Sequence, residues 1–140
     1  MTSDTNHDEE TIAKKFIGTW RLVAVTREDP ATGEHLDQGV AYDGYIAYTD
    51  DRRVTVIITR KPPDGERTIT CYGARWTLEG DTVTHHVDIG TREKRQGSRQ
   101  ARHFRFHDDR LTLTPPVSLD FVHTAPTKRS LEWRRVRKGP

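Results

Sequence analysis

The sequence predicts an all-β chain, folded as a single antiparallel barrel of about eight to ten strands behind one short helix. Three observations carry that expectation. From Thr19 onward apolar and polar residues alternate with a period of two rather than about 3.6. Between the alternating stretches stand runs with turn chemistry: EDPATGEH, TDDR, KPPDGE, EGD and HDDR. Apolar residues make up 32% of the chain and charged residues 31%. That is too little for a core of packed helices, but it suits a wall in which each strand buries one face. Strands joined by short turns form a meander, and closure of a small meander removes its exposed edges.

The elements follow in order. Residues 1–10 carry Asp4, Asp8, Glu9 and Glu10 and no Lys or Arg, and are expected to be disordered. The barrel domain then spans residues 11–137. A short helix is expected at 8–16, DEETIAKKF, where Ile12 and Phe16 share a face and the acidic start suits the helix dipole. Gly18 ends it. The expected strands are 19–28, 43–49, 53–60, 68–80, 82–89, 98–107, 110–116 and 128–137, with a further short one at 118–123. LEGDTV and FHDDRLTL read as tight hairpins.

Alternation also assigns faces. On 98–107, Phe104 and Phe106 share a face with Arg102 and Gln100, and the aromatic face belongs inside. On 82–89, Val83, His85, Val87 and Ile89 form the apolar, inward face, while His86 points out. If these two strands form a hairpin, His85 lies across from residues 102–104 and meets Arg102 inside the barrel. The same parity turns Trp20, Leu22, Ile46, Tyr48, Tyr72 and Trp76 inward. Val54, Val56, Ile58, Leu78, Leu111, Leu113, Leu131, Trp133 and Arg135 follow them. Trp20 and Arg135 are expected to stack at the closed end, with Ile12 and Phe16 plugging it.

Several chemistries find no support. The adjacent His85 and His86 diverge, and His103 and His107 stand about 13 Å apart along one strand, so no metal centre is expected. Arg92, Lys94, Arg95, Arg99, Arg102 and Arg105 cluster about one loop, yet no aromatic stands in 90–99 to stack a base. Nucleic acid is therefore not expected as a partner; a solvated hairpin, or steering of an anionic small molecule, fits that loop. Cys71 is the sole cysteine and has no evident activating base. No phosphate-binding glycine loop is present, and no cofactor is expected. The acidic start MTSDTNHDEE lacks an apolar segment, and the longest apolar run is VTVIIT at 54–59. These features lead to the expectation of a cytoplasmic protein with no membrane partner.

The segment FIGTWRLVAV contains Gly18-Thr19-Trp20, which resembles the Gly-x-Trp opening of lipocalins, and LEWRRV resembles the lipocalin arginine that packs over that tryptophan. GTWRLVAV, DGYIAYTDD, TVTHHVDI and LEWRRV, in this order over residues 16–137, resemble the bacterial lipocalin-like domain family. The resemblance implies a barrel with an internal cavity and names no ligand. The usual lipocalin Thr-Asp-Tyr motif is not evident, which argues against a secreted, conventional lipocalin.

Three functional readings follow. In the first, a small aromatic or polyketide-like anion binds among Trp20, Tyr48, Tyr72, Trp76 and Phe104, anchored by Arg102 and hydrogen-bonded by His85. In the second, the same pocket is a cofactor-free isomerase, cyclase or dehydratase, with His85 as acid or base and Arg102 stabilising an oxyanion. In the third, the interior is filled and the barrel serves assembly. The oligomeric state stays open, a homodimer among the options.

Overall fold

The computed structural model describes residues 2–91, 96–116 and 127–137, with side chains from residue 8 onward. Helix α1 spans Thr2–Phe16 and begins upstream of the expected residue 8. Eight strands follow: β1 (Gly18–Glu28), β2 (Ala41–Tyr48), β3 (Arg53–Lys61), β4 (Thr68–Glu79), β5 (Thr82–Gly90), β6 (Arg99–His107), β7 (Arg110–Thr114) and β8 (Lys128–Arg135). Each pairs antiparallel with the next, and β8 returns to pair with β1, so the barrel is closed. The possible strand at 118–123 and the basic positions Arg92, Lys94 and Arg95 lie outside the described residues. Among the described residues no helix is long and apolar enough to cross a membrane.

Turn chemistry sets the hairpins. Gly80 and Asp81 join β4 to β5; Asp108 and Asp109 join β6 to β7. Gly80 (φ 61°) and Asp108 (φ 54°) take the left-handed conformation that a two-residue hairpin needs.

One end of the barrel is sealed by α1. Ile12, Ala13 and Phe16 lie on its barrel-facing stripe, and Phe16 is fully buried. Its ring meets Tyr48, Phe104 and Phe106 edge-on, with centroids 4.9–5.0 Å apart, and lies 5.5 Å from Trp76. The last carbonyls of the helix would be orphaned inside this plug. Trp20 Nε1–H donates to Phe16 O (2.9 Å), while Arg135 donates to Ile17 O (2.8 Å) and to Lys15 O. The Arg135 guanidinium also stacks 4.2 Å above the Trp20 ring, as the sequence suggests. Gly18 makes this closeness possible. Its φ is +131°, and a Cβ there would come within 2.9 Å of Arg135 Nη1.

Two bulges break the alternation. Against β8, Leu22 pairs with Trp133 and Ala24 with Glu132, so Val23 is the extra residue. Trp20 and Leu22 point inward, and beyond the bulge so do Val25 and Arg27. On β5, Gly73 pairs with Ile89 but Ala74 pairs with Val87, leaving Asp88 extra. Val83, His85 and Val87 are buried as expected. Ile89 is not: it is 66% exposed, because the bulge turns it to the outer wall.

Candidate functional site

A cavity of about 140 Å³ occupies the half of the barrel away from α1. Its apolar wall comes from Ile46, Val56, Leu113, Leu131 and Trp133. Its polar groups are Tyr42, Thr68, Thr70, Tyr72, His85 and four arginines, Arg27, Arg60, Arg102 and Arg129; among the described residues no Asp or Glu lines it. An apolar cavity of roughly 150 Å³ holds benzene, so this one has room for a single small ring.

Strand register places the deep polar groups. His85 stands opposite Gln100, two residues short of the expected 102–104, and Arg102 stands opposite Val83; the parity is the expected one. His85 and Arg102 therefore share the interior. His86 faces outward, its Nε2 2.8 Å from Thr77 Oγ1.

His85 is 1% exposed and lies between two tyrosines. Nε2 is 2.7 Å from the Tyr48 hydroxyl, and Nδ1 is 2.6 Å from the Tyr72 hydroxyl. Burial, with the Arg102 and His86 charges in support, pulls the imidazole down to about 3. It is neutral at pH 7, one nitrogen donating and the other accepting. Tyr48 is 1% exposed, and among the described residues its hydroxyl reaches only this nitrogen. The Tyr48 O–H therefore donates to Nε2, and the imidazole proton sits on Nδ1, which donates to the Tyr72 oxygen. Burial also raises Tyr48 well above the usual phenol value. The chain of donors runs from the plug towards the cavity.

Arg102 is the neighbouring cation. It donates to Ala101 O (2.9 Å) and to Gln100 Oε1 (2.8 Å), and among the described residues it makes no ion pair. Burial lowers it from the ordinary guanidinium value, yet a guanidinium stays charged in such surroundings. Nearer the mouth, the loop between β1 and β2 folds back on β1, with Leu36 N–H donating to Arg27 O (2.9 Å). This brings Asp37 against Arg27 (2.9 Å) and Arg60 (3.4 Å), and Tyr42 O–H donates to the same carboxylate. Burial disfavours the Asp37 charge, but the Tyr42 hydrogen bond and the two arginines outweigh it and hold the carboxyl below its ordinary value.

The seven residues expected to bind a ligand separate by depth. Tyr72, His85 and Arg102 line the cavity. Tyr48 reaches it only through His85. Trp20, Trp76 and Phe104 belong to the plug around Phe16 and do not line the cavity. Parity turns all of them inward, but it carries no information on height along the barrel axis. Arg27, Tyr42, Arg60 and Arg129 are lining residues that the sequence reading leaves out. Arg60 shares the period-two face of Val54, Val56 and Ile58, and that signal is present in RVTVIITR.

The geometry defines a closed eight-stranded meander barrel with an interior cavity. No family model matches the chain, and no curated protein does. Among solved structures it is similar to a de novo designed fluorescence-activating β-barrel, at 13% identity over 89% of this chain and 96% of that chain, with a TM-score of 0.46. It is also similar to the wild-type fluorescent protein UnaG, at 15% identity over 89% of this chain and 99% of that one, with a TM-score of 0.43. These likenesses concern the barrel architecture alone.

Proposed function

We propose that the chain is a binding module for a small, mainly aromatic anion, held inside the barrel of residues 11–137 with Arg102 as its anchor. The observation that carries this reading is the state of Arg102. Asp37 engages Arg27 and Arg60, whereas Arg102, which lines the cavity beside His85, makes no ion pair among the described residues. A buried guanidinium without a counter-charge costs several kcal/mol, and a ligand anion offsets that cost. The Tyr72 hydroxyl, held by His85, stands beside it.

His85 supports binding better than acid–base turnover. Both ring nitrogens are engaged by tyrosine hydroxyls, and its low proton affinity leaves it without the second proton that a general acid delivers near neutral pH. The filled-interior reading has no support from a barrel with an open cavity.

The test is calorimetric titration with benzoate and with benzamide, which matches it in size and lacks the charge. Benzoate is expected to bind and benzamide to bind at least about tenfold more weakly, the worth of one charge-assisted hydrogen bond. Arg102→Gln should remove that preference. Equal affinity for the two compounds, or an unchanged preference in Arg102→Gln, would sink the proposal.

A further inference from the structure

The outer wall holds a second concentration of positive charge, set by register. Arg53 on β3 stands opposite Arg75 on β4, Arg75 opposite His86 on β5, and His86 opposite Arg99 on β6. All point away from the cavity. Like charges directly across a ladder repel and weaken a sheet. Arg53 is neutralised by its ion pair with Asp88. Arg75 and Arg99 are exposed and make no ion pair among the described residues.

We propose that Arg75, His86 and Arg99 form a binding site for a phosphate group on the outer wall of the barrel. Adjacent strands lie about 4.8 Å apart, so the two arginines leave the wall about 10 Å from each other with the imidazole midway. Their side chains are long enough to lean inward and close over it. Two guanidinium forks and one imidazole N–H supply donors from three directions. A phosphate monoester offers three terminal oxygens and close to two charges, which matches that set. A carboxylate, with two oxygens, is satisfied by one arginine alone. Thr77 Oγ1 holds His86 Nε2, and Nδ1 has no partner among the described residues. Among the described residues the wall carries no aromatic platform across this row, which sets it apart from a single-strand nucleic-acid track.

The charged groups that face His86 are Arg75 from β4, Arg99 from β6, and Asp88 on its own strand, which Arg53 engages. Burial, then Arg75, then Arg99 lower the proton affinity of the imidazole. A phosphate seated between the arginines reverses the electrostatic part of that effect. Bound phosphate is therefore expected to raise the proton affinity of His86.

The experiment follows the imidazole resonances of the full chain by NMR across pH, in inorganic phosphate and in chloride of equal ionic strength. The His86 midpoint is expected to rise by about one unit in phosphate, a tenfold change in proton affinity. His103 and His107 should hold their chloride values. Arg75→Gln and Arg99→Gln, both on the exposed wall, should each weaken phosphate binding about tenfold. Two further arms, both phosphate monoesters, identify the source: vesicles of phosphatidic acid and free phosphoserine. The arm that moves His86 at the lowest phosphate concentration names it. Silence at His86 in all three arms overturns the proposal, as does a common shift of all three histidines.

Discussion

A histidine held between two tyrosine hydroxyls can take a second proton only by giving up the bond in which it accepts. For His85 this makes stability depend on pH. The folded imidazole titrates at about 3 and its reference value is 6.5. Between those values the unfolded chain binds the extra proton. The stabilisation is complete above pH 6.5 and is lost as pH falls towards 3, by up to about 5 kcal/mol. Asp37 adds a loss of the same sign below 3.8, since its folded carboxyl is held under that value. Urea unfolding measured from pH 7 to pH 4 should show the decline, and His85→Gln should flatten it. Glutamine can accept from one tyrosine and donate to the other, yet it cannot ionise. The same variant should keep the preference for benzoate, because Arg102 is untouched. A slope unchanged by His85→Gln would place the titrating group elsewhere.

At the scale of the element, the helix–barrel junction concentrates packing energy on one side chain. Phe16 touches four aromatic rings and is fully buried. Phe16→Ala is expected to cost about 3–5 kcal/mol through lost transfer energy and a void that the surrounding rings fill only in part. Denaturant melts read this as a lower midpoint at constant slope. The plug was legible in the sequence because Ile12, Phe16, Gly18, Trp20 and Arg135 carry helix period, strand parity and cation–π chemistry together. Phase beyond the bulges was not. Val23 and Asp88 are unremarkable residues in their strands, and a bulge depends on pairing with a partner far along the chain. Arg27 on β1 and Ile89 on β5 therefore take faces opposite to simple alternation. Asp37 was beyond reach for a related reason. Its place against Arg27 and Arg60 follows from the fold-back of a loop, which has no periodicity to read.

For the whole molecule, closure rests on the last strand. β8 pairs with β7 on one side and with β1 on the other, joining the two ends of the meander. A chain truncated before Lys128 would leave β1 and β7 as open edges, strip Trp133 from the core and remove Arg135 from the helix end. It is expected to lose cooperative unfolding and to self-associate through those edges. Sedimentation and thermal melts of the truncated chain check this, and a monomeric, cooperative fold would contradict it. At this scale the sequence reading and the structure agree on architecture. They part on depth: parity separates inside from outside, but the position of a void along the axis depends on how far α1 fills the barrel.

The three tryptophans divide along that same axis. Trp20 and Trp76 sit among the plug rings, whereas Trp133 lines the cavity and its buried indole N–H lacks an acceptor among the described residues. The chain thus carries its own optical dye at the place where an occupant arrives. With Trp20 and Trp76 exchanged for phenylalanine, ultraviolet emission becomes a single-colour signal of whether the chamber is empty or filled.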